Sequence, residues 1–111
     1  MAHLSASKLT FSPAWGSMSS EDQTAEQVAA LGIVTACGGE VKAQYVLTTD
    51  SCLFTVTEYP NEDAALKSAL AITRRGAFVL TTQRAVSLED FMGMDEEIRK
   101  IAGKSESDPL I

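Results

Sequence analysis

The chain has 111 residues, which is enough for one domain and too few for two. Apolar residues make up 45% of it and charged residues 22%, a balance typical of globular proteins and not of disordered ones. Nine Lys and Arg against fifteen Asp and Glu give a net charge of −6, so neither nucleic acid nor an anionic membrane is expected as the main partner.

The N-terminal half of the chain predicts a strand, a helix and a second strand. Residues 3–10 alternate loosely between apolar and polar side chains, as in a short strand, and a serine-rich loop follows. A helix is expected to begin at Ser19-Ser20, because serine caps helix N-termini, and to stop at Gly38-Gly39. The residues expected on its buried face are Ala25, Val28, Ala29, Gly32 and Ala36. Residues 40–48 alternate again and predict the second strand.

The C-terminal half predicts two strands and two helices. Residues 51–59 are β-branched and aromatic, as in the second arm of a hairpin, and residues 77–86 predict the fourth strand. Between them, a helix capped by Asn61 is expected to end at Gly76. Its expected buried stripe is Ala65, Leu66, Ala69, Leu70 and either Ile72 or Thr73. A third, acidic helix begins at Ser87, and its apolar side is Leu88, Phe91, Met94, Ile98 and Ile101.

The order β-α-β-β-α-β plus a C-terminal helix predicts the ferredoxin-like fold of the α+β class, a four-stranded antiparallel sheet with two helices on one face. The third strand alternates between two largely apolar sets: Cys52, Phe54 and Val56, and Leu53, Thr55, Thr57 and Tyr59. An uncovered apolar sheet tends to associate, so we expect a homodimer in which two sheets pack face to face as a dimeric α/β barrel. A pocket is then expected between the helices and the sheet, or between the two sheets.

The sequence also predicts domain organisation and location. We expect one domain over residues 1–103 and a flexible C-terminal tail over 104–111. No run of about 18 apolar residues suits a membrane span, and the first residues lack the apolar stretch of a signal peptide. The protein is therefore expected in the cytoplasm, with Cys37 and Cys52 as reduced thiols.

Three segments in a fixed order carry a family resemblance. They are GEVKAQY at 39–45, EYPNEDAA at 58–65 and TTQRAV at 81–86. With these segments, residues 40–86 resemble the GYD-domain family of small bacterial proteins. The resemblance implies a ferredoxin-like, dimeric α/β-barrel type of fold. The Gly-x-Tyr-Asp signature that names the family would fall on Thr49-Asp50-Ser51-Cys52, where none of its three named residue types stands in place.

Charged and aromatic residues on the predicted strands suggest a binding or catalytic site. Arg84 could hold a carboxylate or enolate of a ligand, Tyr45 could donate a hydrogen bond to it, and Glu58 or Asp50 could take a proton. We expect the fourth strand to lie beside the second, which would put Arg84 near Lys42, Gln44 or Tyr45. Glu58 would then face the first strand, with Lys8 as a neighbour. A salt bridge at the rim of the sheet is the alternative role of these charges.

Two aromatic residues complete the predicted site. Trp15 lies in a loop that contains Pro13 and Gly16, where its indole is either a flexible wall over a pocket or a plug over the end of the barrel. Phe54 is expected to bind the ligand from the third strand. No cofactor and no metal are expected, because the lone His3 and two separated thiols have no ligand spacing.

These features leave three functions open. The first is a metal-free acid–base enzyme of the isomerase, cyclase or cofactor-independent oxygenase type, which acts on a small organic molecule in an apolar pocket. The second is a non-catalytic ligand-binding or regulatory module with the same pocket. The third is an interaction subunit, in which the acidic third helix docks on a larger partner. For this last function the apolar side of the helix must stay exposed in the isolated dimer.

Overall fold

The computed structural model describes residues 2–103 and confirms the predicted element order. The predicted tail at 104–111 lies outside the described residues. A short 3₁₀ turn at Trp15–Ser17 precedes the first helix. The strands and helices are β1 (His3–Phe11), α1 (Ser20–Ala36), β2 (Glu40–Leu47), β3 (Cys52–Tyr59), α2 (Glu62–Arg75), β4 (Phe78–Ala85) and α3 (Leu88–Ala102).

Each helix begins at a polar cap that the sequence predicts. The side chains of Ser19, Asn61 and Ser87 each accept a hydrogen bond from the backbone N–H three residues later, at 3.1, 2.8 and 3.0 Å. Two acidic residues follow in the first turn of each helix, where their negative charges stabilise the helix by interacting with the positive end of its dipole. Gly76 ends α2 in the left-handed conformation that glycine adopts without strain. Local sequence therefore fixes where the helices start and stop.

The strand order is β2-β3-β1-β4, and every pairing is antiparallel. The ferredoxin-like, α+β class is thus confirmed. The expected place of β4 beside β2 is wrong, because β4 pairs with β1 at the opposite edge of the sheet. Helix α1 connects β1 to β2, which lie on either side of β3 in the sheet. Helix α2 connects β3 to β4, which lie on either side of β1.

The two faces of the sheet carry different side chains. The helix face is the side that α1 and α2 cover, and the open face is the side without helices among the described residues. The predicted alternation of β2 fails at a β-bulge between Val41 and Ala43, because the extra residue shifts the register. Val41 therefore shares the helix face with Gln44, while Ala43 and Tyr45 lie on the open face.

The core lies between α2, the C-terminal half of α1 and the helix face. Its buried members are Leu9, Val34, Tyr59, Ala65, Ile72, Ala77 and Phe78. The predicted buried face of α1 is wrong, because the residues that pack inward are Ala30, Ile33, Val34 and Cys37. Val28 is 65% exposed, on the side predicted to be buried. In the C-terminal half of α1, residues 28–36, apolar side chains occur on nearly every side of the helix, so periodicity does not define its inner face.

The buried stripe of α2 departs from the prediction at its centre. Ser68 is fully buried there and accepts a 2.8 Å hydrogen bond from the Tyr59 hydroxyl of β3. Leu66 and Leu70, predicted as core residues, are about half exposed. Burial raises the pKa of Tyr59, and the hydrogen bond to Ser68 opposes that effect. A polar pair therefore joins α2 to the sheet.

Helix α3 extends away from the rest of the chain. It makes few contacts with the other elements described, and the longest dimension of the molecule is 57 Å. Four residues of the predicted apolar side are exposed, namely Leu88, Met94, Ile98 and Ile101, while Phe91 is half-buried. The apolar side that the sequence predicts for α3 is therefore largely uncovered by the other residues that the structure describes.

Replacing Gly39 by alanine should lower the free energy of unfolding by about 1–3 kcal/mol, the usual cost of overpacking. An added Cβ would lie 2.7 Å from both the Tyr59 ring and the Val34 side chain, which are parts of the core. Urea denaturation measures the change. Gly32→Ala is the matched control, because nothing lies within 4 Å of its added Cβ and alanine favours a helix interior. Equal effects of the two changes would contradict the packing argument.

Candidate functional site

A cavity of about 320 Å³ lies between the two helices and the helix face of the sheet. Its walls are mainly apolar, with Val28 and Leu31 from α1, Ile72 from α2 and Leu53 from β3 among the lining residues. Val28 and Leu31 are both more than half exposed, although they line the cavity. The cavity is therefore open to solvent beside α1.

Helix α1 forms the outer wall of this cavity. Near its N-terminus, the Gln23 side-chain amide donates a 3.0 Å hydrogen bond to the backbone carbonyl of Trp15. In α2, Arg75 donates two 2.9 Å hydrogen bonds to the Glu26 carboxylate, and these lower the pKa of Glu26. Toward the C-terminus, Val34 packs in the core. Contacts between α1 and the strands are few, so space remains beneath the helix.

The floor of the cavity contains a polar row that crosses the sheet. Gln44, Thr55, Ser7 and Thr82 occupy one register position on β2, β3, β1 and β4. The first three line the cavity, and the Ser7 and Thr82 hydroxyls form a 2.8 Å hydrogen bond. Sheet surfaces beneath helices are normally apolar, since a buried polar group needs a partner. Gln44 and Thr82, at the two ends of the row, are exposed, whereas Ser7 and Thr55 are half-buried. The row therefore supplies hydrogen-bonding groups to the floor of the cavity.

Among residues 2–103, the side chains that line this cavity are all uncharged. Its polar groups are hydroxyls and amides, which donate and accept hydrogen bonds but do not serve as general bases near neutral pH. The arrangement can therefore bind and orient a small molecule, and it places no ionisable side chain against that molecule.

A smaller cavity of about 160 Å³ adjoins the first one. It lies beneath α2 at the β1–β4 edge, and its polar lining includes His3, Ser5, Glu62 and Arg84. Ala69 of α2 lines both cavities. The helix face thus carries two neighbouring spaces, and only the smaller one contains charged side chains within the described part of the chain.

Three predicted site residues share the open face, away from both cavities. Tyr45 of β2 lies directly opposite Phe54 of β3. Glu58 lies opposite Leu4 on one side and Glu40 on the other. Their predicted roles in catalysis and binding stay predictions. The structure brings Tyr45 and Phe54 together and places Glu58 farther along the same face.

Asp50 lies in the turn between β2 and β3, where the family signature would fall. Its carboxylate forms a 3.0 Å ion pair with the Lys8 ammonium. The hydrogen bond from Lys8 to Asp50, together with the negative charge of Asp50, raises the pKa of Lys8. The prediction that Lys8 is a neighbour of Glu58 is wrong. Lys8 lies opposite Phe54, and Glu58 is four residues farther along β3.

Arg84 lies on the helix face, opposite Ser5 of β1. Its expected position near Lys42, Gln44 or Tyr45 is wrong, because β2 and β4 form opposite edges of the sheet. Tyr45 also lies on the other face. A single chain therefore does not gather Arg84, Tyr45 and Glu58 around one ligand.

Trp15 belongs to an aromatic cluster at one end of the sheet. Its ring stacks on Phe11 with centroids 4.5 Å apart and lies 5.3 Å from the ring of Phe78. Phe78 is buried, and it also lines the larger cavity. Trp15 itself lines neither cavity, and its predicted roles as a wall over a pocket or a plug over the end of the barrel stay predictions.

The polar row is the feature that sequence reasoning missed. A signal for it exists, since Ser5 and Ser7 alternate in the first strand and Thr55 and Thr57 in the third. Alternate polar residues ordinarily mark the solvent side of a strand, whereas here they face the helices. Gln44 joins the row only because of the bulge in β2.

Residues 2–103 contain neither a membrane-spanning helix nor a cluster of metal-binding side chains. No helix in this range is long and apolar enough to cross a membrane. No group of three or more His, Cys, Asp or Glu side chains in the same range could hold a metal ion. Cys37 and Cys52 are both free thiols.

Comparison with known families agrees with this architecture. The family model described as the GYD domain matches residues 7–94, from β1 into α3. The resemblance of residues 40–86 is thereby confirmed, and it extends toward both ends of the chain. No curated protein gives a significant match. Because the family model covers well over half of the chain, the protein belongs to the GYD domain family.

Proposed function

We propose that this protein binds a small, largely apolar organic molecule in the larger cavity between its helices and its sheet. The observation that carries the proposal is the polar row Gln44-Thr55-Ser7 in the floor of a 320 Å³ apolar cavity. Ligand pockets usually combine mostly apolar walls with a few placed polar groups and begin at roughly this size. The row would orient the hydrogen-bonding edge of the ligand.

Binding without catalysis fits the cavity better than acid–base chemistry does. A general base must come within hydrogen-bond reach of the proton that it removes. The predicted bases Glu58 and Asp50 lie on the open face and in the β2–β3 turn, and neither lines the cavity. An acid–base reaction that uses them would need a site on the open face, between two copies of the chain.

We further propose that a second copy covers the open face. Apolar side chains on all four strands support this, among them Leu4, Tyr45, Val56 and Val79. Tyr45 is 59% and Val79 54% exposed in the single chain. A two-fold pairing would bury this surface against itself.

An interaction role for α3 is the remaining alternative. Its exposed apolar residues, such as Leu88 and Ile101, favour contact with another surface. The cavity carries the main proposal because its chemistry specifies a class of ligand, whereas the surface of α3 specifies no single partner.

Filling the cavity tests the proposed function. Ala30 lines the cavity from α1, so Ala30→Leu should weaken binding of the fluorescent probe N-phenyl-1-naphthylamine by about tenfold or more, since the lost space removes apolar contact area. Fluorescence titration gives the dissociation constant, and thermal melting checks the fold. Ala25→Leu is the matched control, because Ala25 is exposed on the same helix and does not line the cavity. Equal affinities of the two variants would contradict binding at this place.

A further inference from the structure

We propose that the ligand carries a single carboxylate, and that Arg84 binds this group in the smaller cavity while the apolar body occupies the larger one. The inference rests on the proposed function and names the ligand class: an apolar monocarboxylic acid. Arg84, His3 and Ser5 then form a charged subsite at the β1–β4 edge.

The two cavities are neighbours on one surface. Ser7 lines the larger cavity and Ser5 the smaller one, two residues along β1 on the same face, a separation of roughly 7 Å. Ala69 of α2 contributes to both. A ligand of modest length can therefore reach from the polar row to Arg84.

Arg84 has a guanidinium that is free to bind a ligand. Its side chain makes no hydrogen bond or ion pair with another of residues 2–103. Arg75, by contrast, already donates hydrogen bonds to both carboxylate oxygens of Glu26. A guanidinium matches a carboxylate with two parallel N–H donors, which fixes both the position and the orientation of the anion.

The other residues of the smaller cavity limit the charge of the ligand. Glu62, in the first turn of α2, lines it together with Arg84, and no ion pair joins the two side chains. The Glu62 carboxylate would repel a dianion more strongly than a monoanion. Thr82 and His3 add further hydrogen-bonding groups. A monocarboxylate therefore fits this cavity better than a phosphate monoester.

A matched pair of probes tests the inference. Naphthalene-2-acetate and naphthalene-2-acetamide share an apolar body and differ in charge. Calorimetric titration of the full chain should give about tenfold or more tighter binding of the acetate, the expected contribution of a hydrogen bond to a charged group. Arg84→Gln should reduce this preference to about twofold or less. Arg74→Gln is the control, since Arg74 is exposed and lines neither cavity.

The outcomes separate this inference from the proposed function. If both probes bind wild type with equal affinity and Arg84→Gln changes neither, the carboxylate subsite is wrong and cavity binding stands. If neither probe binds, both the proposed function and the subsite are wrong. If Arg74→Gln removes the preference as well as Arg84→Gln does, the preference reflects overall charge, and the subsite is again wrong.

Discussion

Replacing Phe78 by alanine is expected to lower the free energy of unfolding by about 3–5 kcal/mol, the range for truncating a buried aromatic residue. Phe78 is only 4% exposed and belongs to the core. Its ring lies 5.3 Å from that of Trp15 and 5.9 Å from that of Phe11. The substitution removes buried area and the aromatic contacts together, because these three rings close one end of the fold. Urea denaturation monitored by circular dichroism measures the loss.

Leu70→Ala is the control for this effect. The sequence places Leu70 in the core, but it is about half exposed on the outer side of α2, so its truncation should cost about 0.5 kcal/mol or less. A loss for Leu70→Ala as large as that for Phe78→Ala would mean that α2 is rotated relative to its described position. The pair of variants thus checks which face of α2 is buried.

The sequence predicts those parts of the fold that depend on local interactions. Ser19, Asn61 and Ser87 cap the three helices as expected, and Gly76 ends the second one. These signals act over three or four residues, since a cap satisfies N–H groups in its own first turn. The order of the elements follows from them and identifies the ferredoxin-like class.

Predictions that depend on distant residues are less successful. The position of β4 beside β1 depends on which strand the α2 connection crosses. No local sequence pattern indicates that choice. The faces of β2 change at the bulge after Val41, so the alternation visible in the sequence reverses there. The inner face of α1 cannot be predicted from its pattern either, because its apolar residues, such as Ala25, Val28 and Val34, lie on different sides of the helix.

The candidate site could be predicted only in part, because it also depends on residues that are distant in the sequence. The polar row draws Gln44, Thr55, Ser7 and Thr82 from four separate strands, and only the register brings them into line. Arg84 could be singled out from the sequence as a charged residue on a strand. Its neighbours could not, since they depend on the strand order.

Phe54→Glu should convert the proposed dimer to a monomer. Phe54 lies on the open face between Lys8 of β1 and Tyr45 of β2, and it is half-buried in the single chain. A carboxylate at this position would be buried between two sheets, at a cost of several kcal/mol per ion, and its cross-strand neighbour Lys8 already pairs with Asp50. Sedimentation velocity at micromolar concentration should find a dimer for wild type and a monomer for the variant. Thr35→Glu, which adds the same charge on the exposed side of α1, should remain a dimer.

A monomeric wild type at that concentration would contradict the dimer and leave the larger cavity intact. The cavity is enclosed by α1, α2 and the sheet of one chain, and its lining includes no residue of the open face. Phe54→Glu should therefore bind N-phenyl-1-naphthylamine with wild-type affinity even as a monomer. Loss of binding together with loss of the dimer would instead place the ligand between two sheets, where Glu58 and Tyr45 could reach it.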